Sequence, residues 1–188
     1  MKHMFSKITL ASRKSNLALC QTNQVIQQLT AINQNIAINI NKIDTPTPST
    51  FDAMGLKGVF TKAIDHAVLN SNADAAVHSG KDLPSVLDDN ICIAAVLKRE
   101  ECNDVFLSSK YQHLADCPKG STIGTSSLRR IMFLQQSYPH LNVEMFRGNI
   151  DTRINALNRF DGIILAAAGI KRLQLTQHIT EYLDHDTF

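Results

Sequence analysis

The chain has 188 residues, 44% hydrophobic and 19% charged, a balance that fits a soluble folded protein and excludes disordered and fibrous classes. Its formal net charge of +2 is too small to imply a polyelectrolyte partner, so no nucleic acid is expected, although clustered arginines can still serve a small anion. No stretch approaches the roughly 18 apolar residues of a membrane span, and MKHMFSKITL lacks a signal-peptide core, so no membrane partner and a cytoplasmic location are expected.

In chain order, Lys7 to Ala11 reads as a short strand and Asn16 to about Leu29 as a helix carrying Leu17, Cys20, Val25 and Leu29 on one stripe. Ile36, Ile38 and Ile40 alternate as a second strand does, and TPTPST from Thr45 to Thr50 then opens a long loop. A helix over about Thr61 to Leu69, a strand at Ala75 to His78 and another at Ile91 to Leu97 complete the first half. The second half continues with a strand at Thr122 to Thr125, a helix at Ser127 to Tyr138 and a strand at Val143 to Phe146. A helix at Ile150 to Leu157, a strand at Gly162 to Ala167 and a final helix follow. The alternation predicts an α/β class with two lobes joined near Lys98 to Asp104. Residues 1–98 form the first lobe, 99–172 the second, and 173–188 a segment returning towards the first. Ligands of such sheets gather at the carboxyl ends of strands, so an interlobe cleft is expected.

Five segments offer chemistry. GTSSLRR, Gly124 to Arg130, runs from a strand end into a helix start and combines N–H donors, hydroxyls and two guanidinium forks, the parts of an anion site. Its plainer reading is a serine cap followed by two solvated arginines. RGNIDTR, Arg147 to Arg153, adds two more arginines around a glycine turn at the next strand end. Arg13, in ASRKSNLA, does the same at a strand-to-helix junction in the other lobe. Like charges converge at a cost unless an anion compensates, which favours a ligand over a surface cluster. AVHSGKDLP places Lys81 and Asp82 just past a buried strand. There Asp82 can stabilise a cation or move protons, or else simply close a turn. His78, beside apolar Val77, reads as a satisfied core histidine. Lys57, between glycines in GLKGVF, sits in a loop suited to closing over a ligand. Cys20, Cys92, Cys102 and Cys117 have neither CxxC spacing nor matching histidines, so free or buried thiols and no metal site are expected.

The ordered segments ASRKSNLALCQ, GLKGVFTKAID, DAAVHSGKDLP, IGTSSLRR, FRGNIDTR and DGIILAAAGIKRL resemble those of the porphobilinogen deaminase (hydroxymethylbilane synthase) family, from about Lys7 to Leu183. The resemblance implies two lobes like the type II periplasmic-binding-protein fold. It also implies a cytosolic transferase of porphyrin, tetrapyrrole and heme biosynthesis, which condenses porphobilinogen into a linear tetrapyrrole with release of ammonia. Growth occurs on a covalent dipyrromethane cofactor. Partners implied are porphobilinogen and oligopyrrole polycarboxylates, whose acetates and propionates would meet Arg13, Arg129, Arg130, Arg147, Arg153 and Arg172. Asp82 matches the family's catalytic aspartate, which assists loss of the amine and stabilises the cation left behind. Ser15, Lys57, Lys81, Thr125, Ser126, Ser127 and Gly148 match positions lining the cofactor and substrate cleft.

Departures from the family pattern are also expected to matter. The resemblance implies a further Pro-Ala-x-Gly-Gln-Gly strand and a third domain bearing the attachment cysteine, a position that none of the four cysteines here occupies. Truncation is therefore expected, with an open first-lobe edge through which copies self-associate. Gly80, Ala53, Ala63, Asn103 and Cys20 stand where the family usually has a bulkier residue, a lysine, an acid, an arginine and a tryptophan. The competing expectation is a non-catalytic bilobal module holding a polycarboxylate or pyrrole anion. A regulator-like ligand sensor lacks any nucleic-acid domain.

Overall fold

A computed structural model describes residues 6–45 and 61–184. The chain divides into two compact units, 1–98 and 99–188.

In the first unit β1 (Lys7–Arg13), β2 (Ala37–Ile43) and β3 (Ala75–Ala76) form a parallel sheet in the order β2-β1-β3. β1 is paired along its whole length, from Lys7↔Ala37 to Arg13↔Ile43. Parallel neighbours need helical crossovers, which α1 (Asn16–Ile32) and α2 (Lys62–Leu69) supply. No glycine or proline interrupts the 17 residues of α1, and Ser15 caps it, its Oγ accepting from Ala18 N at 3.4 Å. Thr22 fastens that helix to β1: its buried hydroxyl donates to Ser12 Oγ at 2.7 Å. Ala11, Ile64, Ala67 and Ala73 form the buried core between α2 and the sheet.

The second unit holds β4 (Asp104–Leu107), β5 (Thr122–Thr125), β6 (Asn142–Met145), β7 (Gly162–Ala166) and β8 (Glu181–Tyr182), ordered β6-β5-β7-β4-β8. β5, β6 and β7 are parallel, whereas β4 runs antiparallel to both β7 and β8. Helices α3 (Leu128–Ser137), α4 (Ile150–Asn155) and α5 (Ala167–Arg172) follow β5, β6 and β7 in turn. With both faces covered, central strands read as unbroken apolar runs. β7 shows the consequence: Ile163 and Leu165 join Phe146 and Phe160 in one core, while Ile164 joins Phe106, Ile123 and Leu134 in the other.

One sequence expectation is corrected. Ile91 to Leu97 is irregular, not a strand. No described strand pairs with it, so it has no ladder to satisfy its backbone groups, and Ile93 and Val96 are exposed. The strand expected there is replaced by β4, which begins at the residue taken as the end of the lobe junction. The described part of 173–188 belongs to the second unit. It adds β8 to the second sheet through Val105↔Tyr182 and Phe106↔Glu181, and Leu183 N donates to Asp104 O at 2.9 Å. Burial of Leu183 beside Phe106 and Ile164 explains why the segment stays there.

Gly162 packs closely against β4. A Cβ on it would run into the ring edge of the fully buried Phe106 and lie 3.3 Å from Leu107 O. Gly162→Ala is therefore expected to cost about 1–3 kcal/mol through overpacking. Thermal denaturation reads this as a lower Tm, and an unchanged Tm would mean that the ring moves aside freely.

Candidate anion-binding site

The first unit gathers its polar residues at the carboxyl ends of β1 and β3. Arg13 is the last residue of β1, and its Nε donates to Thr45 Oγ1 at 3.0 Å. Burial pushes the Arg13 guanidinium below its ordinary pKa, and the negative charge of Asp82 draws it part of the way back. Asp82 and Lys81 are both exposed on a single helical turn, Gly80–Asp82, that follows β3. That turn is tied on two sides. Gln21 of α1 donates to Ser79 Oγ at 2.8 Å, and His78 Nε2 lies 2.9 Å from Asp65 Oδ1 of α2. His78 is thus satisfied within the fold. Gly80 has open space where a Cβ would sit, so its small size is not imposed by packing. Ser15 is occupied in capping α1, and Lys57 lies outside the described residues.

The second unit assembles the larger cluster. Thr125 ends β5, is 1% exposed, and accepts from Ser127 N through Oγ1 at 3.4 Å. Ser127 has extended backbone and caps α3, its Oγ facing Arg130 N. Ser126, half-buried, lies between them. The adjacent arginines then diverge. Arg130 is buried, its side chain 10% exposed against 60% for Arg129, and both meet the carboxylate of Asp104.

From the loop after β6 come Arg147 and Gly148. Gly148 adopts φ 134°, a region open to glycine and strained for other residues. This lets the chain turn so that Arg153, on α4, donates from Nε to Gly148 O at 2.9 Å. Arg147 Nε is buried and finds no acceptor among the described residues, while Nη2 lies 3.6 Å from Met145 Sδ. Arg153 is the most perturbed: burial, and then the like charges of Arg130 and Arg147, push its pKa down to about 10. The guanidiniums of Arg130 and Arg147 are therefore close enough to act on that of Arg153. Arg172 sits half-buried in the last turn of α5. Cation convergence and an orphaned buried donor together make this a place where an anion would be stabilised.

The residue that sequence reading missed is Asp104, taken there only as the end of a linker. Its signal was an acid directly ahead of the apolar run Val105–Leu107. Among the described residues no cluster of His, Cys, Asp and Glu can hold a metal ion, and no helix is long and apolar enough to cross a membrane.

The depressed pKa of Arg153 has a stability consequence. Between about pH 10 and the ordinary guanidinium value, the unfolded chain holds a proton that the folded chain has shed. This group therefore makes stability rise with pH across that window and penalises the fold below it. At neutral pH, Arg153→Gln is expected to hold or raise the Tm in dilute buffer, and to shrink the Tm increase that citrate produces. A lower Tm with an intact citrate response would make Arg153 a structural donor to Gly148 alone.

Comparison with known proteins places these features in a family. Residues 8–188 match the family described as porphobilinogen deaminase, dipyromethane cofactor binding domain. Porphobilinogen deaminase from Dictyostelium discoideum is 40% identical, over 94% of this chain and 58% of that protein. The enzyme of the same name from Chromobacterium violaceum is 43% identical, over 92% and 58%, and that from Bacillus pumilus 41%, over 96% and 60%. The chain thus spans about three-fifths of the length of these curated relatives. In fold, it is similar to a periplasmic substrate-binding protein of an ABC transporter from Coxiella burnetii, with TM-score 0.56, 11% identity and coverage of 94% of this chain and 79% of that one. A YaeC-family lipoprotein from Enterococcus faecalis gives TM-score 0.54 at 15% identity, covering 97% and 80%. These likenesses show a mixed α/β, periplasmic-binding-protein-like fold. With the family model matched over nearly its whole length, the chain belongs to the porphobilinogen deaminase family.

Proposed function

We propose that this chain binds porphobilinogen and its oligopyrrole products as polycarboxylates and serves their condensation to a linear tetrapyrrole with loss of ammonia. The observation that carries the reading is the Arg130–Arg147–Arg153 cluster, with an Arg147 Nε that has no acceptor among the described residues. Crowding guanidiniums out of water is costly, and a ligand bearing several carboxylates removes that cost. Every pyrrole of the family's substrate carries an acetate and a propionate.

In this reading Arg13, Arg129, Arg147, Arg153 and Arg172 meet carboxylates. Thr125, Ser126, Ser127 and Gly148 shape the strand ends that present them. Ser15 holds the helix start behind Arg13, and Lys81 adds an exposed cation on the turn of Asp82. Lys57 extends the set by family resemblance. Arg130 contributes charge from behind, its fork being turned to Asp104.

Asp82 has the catalytic role. The aminomethyl group, already protonated as an ammonium near neutral pH, departs as neutral ammonia that keeps both electrons of the broken carbon–nitrogen bond. The pyrrole-bearing fragment is left cationic, and the next pyrrole's free α-carbon then bonds to the carbon left behind and sheds its proton. A carboxylate at that point stabilises charge that exists only along the reaction path.

The same guanidiniums suit the dipyrromethane named by the family description, because it carries the same acids. When bound, it supplies the primer that the chain extends. Arg129, Arg147 and Arg153 would hold its carboxylates. Cys117 is unsuited to covalent attachment: it is 2% exposed, and burial pushes its thiol up to about 11, which removes the nucleophilic thiolate. No primer is expected on Cys20, Cys92 or Cys102 either, because none matches the family's attachment position.

Porphobilinogen titration and ammonia release test the proposal together. Affinity should fall with salt, since partly exposed charge pairs are screened. Arg147→Ala should weaken binding roughly tenfold, whereas Arg159→Ala, stacked over Phe160 outside the cluster, should not. Asp82→Asn should slow ammonia release about a hundredfold or more while changing affinity little. Equal turnover in Asp82→Asn removes Asp82 from the mechanism. Binding without ammonia release in the unaltered chain would confine its role to holding the polycarboxylate.

A further inference from the structure

Asp104 opens β4 opposite Ala166, the last residue of β7, with its side chain 5% exposed. Its Oδ1 accepts from Arg130 Nη2 at 2.6 Å, and its Oδ2 accepts from Arg130 Nε at 3.0 Å. That is a side-on bidentate fork, the geometry in which guanidinium and carboxylate fix each other's plane. Arg130 Nη1 donates onwards to Ile164 O at 3.0 Å. One guanidinium thereby fastens α3 to β4 and β7. The same Oδ2 accepts a third hydrogen bond, from Arg129 Nη2 at 2.5 Å, yet the Arg129 side chain stays 60% exposed.

We infer that Asp104 is a positioning residue for the anion site: it pins Arg130 into the sheet and, through its shared oxygen, aims Arg129 outwards as the ligand-facing member of the pair. The inference rests on the reading of the cluster as a polycarboxylate site. Two effects of the carboxylate oppose one another. As a negative charge beside an anion site it repels the ligand, so removing it would tighten binding. As an anchor for Arg129 it holds a donor in place, so removing it would weaken binding. A buried, bidentate and shared carboxylate fixes direction more than it contributes field, because the adjacent Arg130 already neutralises its charge. Positioning should therefore win.

The test uses the whole 188-residue chain and citrate as the probe, titrated by calorimetry at low ionic strength and well below the Tm of each variant. Asp104→Asn is expected to weaken citrate binding roughly tenfold, the scale of a charge-assisted hydrogen bond. Arg129→Ala should do about the same. The double variant should lose little more than either single one, since both remove the same aimed guanidinium. Tighter or unchanged binding in Asp104→Asn, or fully additive losses, would overturn the inference. If Asp104→Asn does not fold, Asp104→Glu keeps the charge and displaces the carboxylate by one methylene. Weaker citrate binding there supports the positioning role, and unchanged binding overturns it. Absence of citrate binding in the unaltered chain would sink the polycarboxylate reading and this inference together, whereas wild-type binding indifferent to Asp104 would sink only the inference.

Discussion

The second unit depends on a single buried carboxylate. Without Asp104, the Arg130 guanidinium would lie under α3 with its Nε and Nη2 unmatched, and breaking such a buried pair typically costs about 3–5 kcal/mol. With it, Arg130 bridges β4, α3 and, through Ile164 O, β7. The pair links the antiparallel strand of the sheet to the helix that begins the anion site. Balanced charge in the interior is what allows further cations to collect nearby. Arg147 and Arg153 approach a guanidinium that already has its counter-charge, so their mutual repulsion is smaller than three isolated charges would produce.

The two units handle a dehydrated arginine differently. Arg13 in the first has Asp82 acting on it, and that attraction opposes the cost of burial. In the second unit the charges acting on Arg153 are the like charges of Arg130 and Arg147, which add to the cost of burial. A site whose cations are not fully compensated from within has something to gain from an anion brought from outside. The first unit instead places its acid on an exposed turn held by Gln21–Ser79 and Asp65–His78, two contacts that leave the Asp82 carboxylate itself out of the scaffold.

Much of the fold was legible because the signals were local. The apolar run Ile163–Ala166 identified β7, and Ser127 announced the start of α3. What escaped was non-local. β4 is only four residues long, and its strand character comes from pairing with β7 across more than fifty residues of sequence. Ile91 to Leu97 has better strand composition, but composition without a partner makes no ladder. The same reasoning covers 173–184: nothing in Glu181–Tyr182 itself says which sheet edge it will join. The choice is made by Leu183 packing with Phe106 and by Glu181 Oε2 accepting from Leu114 N at 2.7 Å.

The site was legible as a set of residue types and illegible as a set of roles. Successive residues on a helix point about 100° apart, so two identical neighbours at a helix start differ in burial even where both reach one carboxylate. Arg129 and Arg130 illustrate this: one lies largely in solvent, the other under the helix against Asp104. A motif of two arginines therefore does not say which member is buried, and that depends on where the sheet places an acid. That acid lies 25 residues from the first arginine and 26 from the second, outside any window in which motif spacing is read. Roles in such a site follow from burial and pairing, and these become visible only when strands distant in sequence have been brought side by side.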